Sequence, residues 1–407
     1  MLIDFSVTNF KSIKEKQTFS MVPAAKVKEL PQNIIQKGSQ SLLSSAIIYG
    51  KNASGKSNLL KALNILFSMV RLSDIKLETY YWVYTPFLLD DERKPIVFDL
   101  NFIGHKGLRY NYFLTYDIKG IINETLSVYH SRKASLVFSR ERGKASEIGE
   151  SIKSLVFKAV ENATYEYQTI LSKAEDFKIE ALLEPYKTLK NYTASIIQDD
   201  FNSMTTSLSS KFGNKQNDKS KKWVEQLLKI ADTDVNGFSF KLKDKEKQTL
   251  WDSYDILMEH KTTFGKNVFF PIETESMGTQ KLLYVGSYIA FTLEQGGIII
   301  IDELDKSLHP HLTKVLIKLF QNPKINAKGA QLIFASHDAT LLSGDLFRRD
   351  QIWFTEKEPN GSSYYYALSD LKDVRAGVPY EKYYLKGAFG ATPMIDEFDL
   401  TFDTPSV

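Results

Sequence analysis

The sequence contains no cysteine, and that absence excludes disulfides and thiolate-held metal sites. No apolar run approaches the ~20 residues that a membrane-spanning helix needs. The first residues, Met1-Leu2-Ile3-Asp4-Phe5-Ser6-Val7, alternate like a strand and lack the basic start and apolar core of a signal peptide. The expectation is therefore a cytoplasmic protein without a membrane segment. An excess of one charge is missing too. Lys and Arg number 52 against 49 Asp and Glu, a net +3 that argues neither for nor against nucleic acid. What remains is ordinary globular composition, 43% hydrophobic and 25% charged, on 407 residues. That length suggests two lobes, or a domain carrying an insertion. There is no internal repeat, and no heptad pattern long enough for an extended coiled coil.

Against these absences one stretch stands out. Gly50-Lys51-Asn52-Ala53-Ser54-Gly55-Lys56-Ser57 fits G-x-x-x-x-G-K-[ST], a phosphate-binding loop. Ala46 to Tyr49 ahead of it reads as a buried strand, and Asn58 to Leu66 behind it has helical apolar spacing. Strand, glycine loop and helix N-terminus aim backbone N–H groups and a positive dipole end at one anion. Gly50, Asn52, Ala53, Ser54, Gly55 and Asn58 belong to that cradle. Lys56 would reach the β- and γ-phosphates, and the Ser57 hydroxyl would sit on Mg²⁺.

Leu2 to Thr8 and Gln17 to Met21 read as strands, and so do Tyr80 to Tyr84 and Ile96 to Phe102. Alternation from Arg109 to Arg140 predicts an antiparallel meander with a turn at Gly120. From Ser146 to about Ala231 helical spacing takes over, for example Ile152, Leu155, Val156, Ala159 and Val160. Gly213 to Lys222 is polar and Lys-rich and reads as an exposed loop. Strands are expected again at Gly237 to Leu242 and Val268 to Pro271, a helix over Gln280 to Glu294, and buried strands at Ile298 to Ile301 and Ala330 to Ala335. A closing hairpin turns at Asn360-Gly361. The expected fold class is α/β, with a first half at 1–145, a mainly helical insertion at 146–235, a second half at 236–395 and an acidic tail at 396–407.

A second chemical signal is Asp302-Glu303, two carboxylates at the C-terminal end of four consecutive isoleucines. Ligands of open α/β sheets bind at that end. Asp302 would hold Mg²⁺, and Glu303 would polarise the attacking water as general base. Upstream, Ser276 and Gly278 open the next helix as a small N–H-rich anion site. Ser336-His337 ends the last core strand, where His337 can reach a γ-phosphate and its attacking water.

Together these motifs resemble the ATP-binding-cassette type of ATPase head found in the structural-maintenance-of-chromosomes (SMC) and RecF-type families. Gly50 to Ser57 matches Walker A, Ser276 to Gln280 resembles the signature motif, and Ile298 to Glu303 matches Walker B. Ser307 to Pro310 falls at the D-loop and His337 at the switch histidine, while Asn9-Phe10-Lys11-Ser12 resembles the opening of such heads. More narrowly, the chain is similar to compact AAA-family ATPases of the ATP/GTP phosphatase kind, common in bacterial anti-phage defence operons. Tyr384 to Pro393 resembles their C-terminal signature. One departure is that no Q-loop glutamine can be placed after Ile96 to Phe102. The resemblance covers roughly 1–145 and 235–395. It implies ATP and Mg²⁺ as cofactors, a head-to-tail dimer in which Ser276 and Gly278 act in trans, and a separate effector such as a nuclease or toxin.

A RecF-type DNA-repair ATPase is the second reading; stimulation by bare DNA would favour it. The third reading is a nuclease in its own right, as in overcoming-lysogenization-defect proteins, which carry a Toprim domain after the ATPase; about seventy residues follow His337, so any cutting activity is expected from a partner instead. Two basic clusters bear on nucleic acid: Arg132, Lys133, Arg140, Arg142 and Lys144, and Lys211, Lys215, Lys219, Lys221 and Lys222. Either would track a phosphate backbone. Flanking acids make a solvated face the simpler expectation.

Overall fold

The computed structural model describes residues 1–73, 76–90, 92–192, 208, 212, 218–231, 233–242, 254–372, 374, 375 and 377–392. Lys211, Lys215 and the expected acidic tail at 396–407 lie outside them.

In chain order the strands are β1 (Leu2–Thr8), β2 (Gln17–Ser20), β3 (Ile34–Lys37), β4 (Gln40–Leu43), β5 (Ser45–Gly50), β6 (Ile96–Ile103), β7 (Arg109–Asp117), β8 (Gly120–Tyr129), β9 (Ala134–Glu141) and β10 (Glu147–Ile148). The second half adds β11 (Gly237–Leu242), β12 (Tyr254–Lys261), β13 (Asn267–Pro271), β14 (Ile298–Ile301), β15 (Gln331–Ala335), β16 (Ile352–Lys357) and β17 (Ser363–Ala367). The helices are α1 (Lys56–Arg71), α2 (Leu77–Val83), α3 (Ser154–Asn162), α4 (Ala174–Phe177), α5 (Glu180–Lys190), α6 (Asp218–Ile230), α7 (Met277–Gln295), α8 (Pro310–Gln321) and α9 (Tyr380–Leu385).

Two large sheets carry the fold. The first, of order β14-β15-β5-β16-β17, is parallel except for its last strand. The second is antiparallel, of order β10-β9-β8-β7-β6-β1-β2, and contains the expected meander. The parallel strands are buried on both faces, which is why they read as unbroken apolar runs. Ile298, Ile299, Ile300 and Ile301 are all fully buried, each worth about 1.5–3 kcal/mol over exposure. The antiparallel strands alternate instead, as in Ile96, Phe98 and Leu100 pointing inward with Val97 and Asp99 between them.

Two hydrophobic cores meet at the parallel sheet. One joins the antiparallel sheet, α1, α3 and α5, with Leu63, Leu66 and Phe67 of α1 beside Leu182 and Leu189. The other gathers α6, α7, α8 and the opposite face of the parallel sheet. The helical stretch after 146 is thus divided between the two. Tyr192 meets Phe67 edge-on at 5.1 Å, whereas Val224 and Leu228 of α6 share the core of α7.

Two expectations need correction, one helical position faces solvent, and one strand was not expected. Tyr80 to Tyr84 is not a strand but most of helix α2 and its end. Leu155 lies on α3 but is 84% exposed, and Phe157 with Val160 forms its buried face. Lys219, Lys221 and Lys222 stand on α6 rather than on a loop. A strand at Tyr254–Lys261 pairs with both neighbours in a three-stranded sheet. Among the described residues no helix is long and apolar enough to cross a membrane.

Candidate functional site

The phosphate loop joins β5 to α1 at the C-terminal edge of the parallel sheet, and its glycines are required by space. A Cβ on Gly50 would lie 2.5 Å from Ser54 Oγ and 2.6 Å from the Thr355 carbonyl. Gly55 has φ +114°, a conformation that costs a side-chain-bearing residue, and faces Ser363 and Ser12 closely. Gly55 precedes the first turn of α1, whose leading amides have no intrahelical partner and remain for an anion.

Distant residues brace the loop. Tyr365 donates to the Gly55 carbonyl at 2.6 Å, and Thr355 Oγ1 donates to Ser54 O at 3.2 Å. Ser363 donates to Ser54 O and lies 2.7 Å from Ser12 Oγ, whose hydroxyl can donate to it, and Asn58 Nδ2 donates to Ser12 Oγ at 2.7 Å. The Asn9 to Ser12 turn is held in place by Asn9 Nδ2, which donates to the Lys94 and Pro95 carbonyls.

Lys56 is buried, at 6% exposure, and donates to the Gly50 carbonyl at 2.7 Å and the Lys51 carbonyl at 3.1 Å. Burial lowers its ammonium below the usual lysine value, and the charges of Asp302, Glu303 and Asp305 work against that shift. Those three acids follow β14 in one turn. Asp302 Oδ1 and Asp305 Oδ1 are buried and accept no hydrogen bond among the described residues, and Ser54 Oγ is likewise unpartnered. Orphaned buried carboxylate oxygens whose charges act on Lys56, and the hydroxyl of the next residue, Ser57, are hard donors of the kind Mg²⁺ takes, so these residue types fit that ion.

Glu303 Oε1 and His337 Nε2 stand 3.6 Å apart, both side chains a little over two-fifths exposed. The His337 amide donates to Asp305 Oδ2 at 3.3 Å, tying the end of β15 to the acid turn. Asn52, Ala53, Ser54, Gly55, Lys56, Ser57, Asn58, Glu303 and His337 border one open cleft of about 500 Å³. Ser12, Lys61 and Lys357 complete its lining.

Ser276 and Gly278 are not among the residues lining that cleft. Ser276 caps α7, its Oγ accepting from the Thr279 amide at 3.1 Å. Met277 beside it is 50% exposed. The signature residues thus stand outside the lining of the cleft that holds the phosphate loop.

Sequence reasoning singled out neither Asp305 nor Lys281. Asp305 was findable as a third acid in the same turn; Lys281 donates to the Glu303 carbonyl, a contact without local signal. Of the first basic cluster, Arg140 pairs with the fully buried Glu124 at 2.8 Å, and Arg142 grips Asp117 with two nitrogens at 2.8 and 2.9 Å. Lys144 pairs with Glu141. These three are paired with carboxylates, as the compensating acids suggested.

A phosphate loop between a parallel strand and a helix, with an acid-tipped parallel strand in the same sheet of a two-sheet α/β frame, makes a P-loop nucleotide-binding domain. The chain belongs to the AAA family described as "AAA domain, putative AbiEii toxin, Type IV TA system", whose pattern matches residues 45–343. No curated protein matches it. Among solved structures it is similar to the SMC head domain from Thermotoga maritima, at 12% identity and TM-score 0.41, covering 90% of this chain and 98% of that one. An SmcHead bound to the C-winged helix domain of ScpA gives 14% and 0.46, covering 90% and 97%. An Smc head with an extended coiled coil, bound to the C-terminal domain of ScpA derived from Pyrococcus furiosus, gives 11% and 0.42, covering 90% and 96%. These distant likenesses assign no role to any residue here.

Proposed function

We propose that the chain binds and hydrolyses ATP with Mg²⁺, closes as a head-to-tail dimer around the nucleotide, and uses that cycle to control a separate effector protein in bacterial anti-phage defence. The observation that carries the catalytic part is the single cleft shared by Lys56, Ser57, Glu303 and His337. The loop amides and Lys56 bind the phosphates, and Lys56 exchanges the Gly50 and Lys51 carbonyls for phosphate oxygens. Glu303 takes the proton of the attacking water, and His337 orients that water and the γ-phosphate. Ser57 and Asp302 would hold Mg²⁺, which supplies charge neutralisation at the phosphate oxygens.

The dimer follows from what one protomer lacks. A γ-phosphate spreads its charge over three oxygens and needs donors on every side. The cleft provides one side, while Ser276 and Gly278 offer a helix N-terminus outside its lining. A second copy supplies the missing side in trans. The family's description names a type IV toxin–antitoxin system, which accords with an ATPase paired to an effector.

Phosphate release from ATP by the purified chain tests the catalytic part. Lys56→Ala removes binding, and Glu303→Gln slows turnover by ~10²–10⁴-fold while binding persists. Equal turnover in all three proteins would place the activity elsewhere.

A further inference from the structure

Within one protomer, the helix that begins at the signature touches the acid turn at two points. Lys281 lies on α7 five positions beyond Ser276, is 6% exposed, and donates its ammonium to the Glu303 carbonyl at 2.7 Å. Gly278 packs on the same turn: a Cβ there would lie 2.8 Å from the Ser307 carbonyl oxygen. The turn itself is strained, because Glu303 (φ 53°) and Ser307 (φ 62°) both occupy the left-handed region. Such conformations persist only where the surroundings impose them. The Glu303 carbonyl is fixed from two sides, by Lys281 and by the Lys306 amide at 3.1 Å.

We infer that Lys281 is a positioning residue that couples the two nucleotide sites of the dimer. The end of α7 that meets the partner's γ-phosphate sets, through Lys281, the backbone of the base serving this protomer's own nucleotide. This rests on the head-to-tail reading above. A helix is rigid over the ~7.5 Å that five residues span, so a shift at Ser276 carries Lys281 with it. Nucleotide at one site thereby prepares the base at the other, and hydrolysis becomes cooperative.

The test is steady-state hydrolysis of ATP by the full chain as wild type, Lys281→Met, Lys281→Gln and Lys281→Arg. Nucleotide affinity and ATP-dependent molar mass are measured alongside, in the Glu303→Gln background. Lys281→Met should bind nucleotide and dimerise within twofold of the parent, lose about 10- to 100-fold in kcat, and drop from a Hill coefficient above 1 to 1. Lys281→Arg should recover most of both, and Lys281→Gln part. If dimers form and the three variants match wild type in kcat and Hill coefficient, the coupling is wrong and the dimer stands. If no ATP-dependent dimer forms even with Lys281 intact, the head-to-tail reading falls and the coupling falls with it. Lys281→Gln and Lys281→Arg decide the question should Lys281→Met fail to fold.

Discussion

Tyr365 donates its phenolic hydrogen to the Gly55 carbonyl at 2.6 Å, joining positions 310 residues apart in the chain. The phosphate loop is thus shaped by the closing hairpin as well as by its own glycines. Tyr365→Phe keeps the ring and removes one hydrogen bond, a loss of about 1 kcal/mol. Nucleotide affinity measured by titration should fall several-fold while the chain stays folded. Unchanged affinity would mean that the loop holds its shape without the hairpin.

Gly278 should not accept a side chain. Its Cβ would press on the Ser307 carbonyl, and overpacking of this kind costs about 1–3 kcal/mol. Gly278→Ala is expected to lower both melting temperature and turnover. Gly107, which has open space around its Cβ position but φ +86°, is a control of backbone strain alone. Gly107→Ala should lower stability slightly and leave turnover intact.

Arg140 is predicted to matter for folding rather than for nucleic acid. Its partner Glu124 is fully buried and also accepts from Tyr112 and from the Ile170 and Leu171 amides. Removing one partner of a buried ion pair leaves the other uncompensated, at about 3–5 kcal/mol. Arg140→Ala should show that loss in denaturant unfolding. Arg132→Glu with Lys133→Glu should be silent there; weaker DNA binding by that pair would revive the nucleic-acid reading.

Glu356 gives a pH dependence with a definite sign. Burial raises its carboxyl, but the Tyr366 hydroxyl, the Ala391 amide and the Tyr364 hydroxyl outweigh that and hold it below its ordinary value of 4.5. A carboxylate depressed in the folded state stabilises above the unfolded pKa and loses that stability as pH falls through the folded one. Glu356 anchors the segment around Phe389 and Gly390, where a Cβ on Gly390 would overlap its Oε1. The melting-temperature gap between wild type and Glu356→Gln should be full at pH 7 and shrink below pH 4.5. A gap independent of pH would contradict the assignment.

The phosphate loop and the acid-tipped strand were legible because each is local. One needs eight consecutive residues, the other four isoleucines and two acids. Tyr80 to Val83 misled because aromatic and β-branched side chains favour strands. In the folded chain only Tyr80 and Val83, three apart, find a core, while Trp82 is 84% exposed. Burial of one helical face outweighed the local preference. The Tyr254–Lys261 strand was missed because its buried positions, Ile256 and Met258, flank Leu257 and blur the alternation. The braces from Ser12, Ser363 and Tyr365, and the contact from Lys281, carry no local signal at all. They exist only after strands and helices distant in sequence have been brought together.

The most direct test of the central claim is molar mass in solution with and without ATP and Mg²⁺, for Glu303→Gln alone and combined with Ser276→Arg. A nucleotide site completed in trans predicts an ATP-dependent doubling of mass in Glu303→Gln that Ser276→Arg abolishes. A mass that ignores nucleotide in both proteins would contradict it.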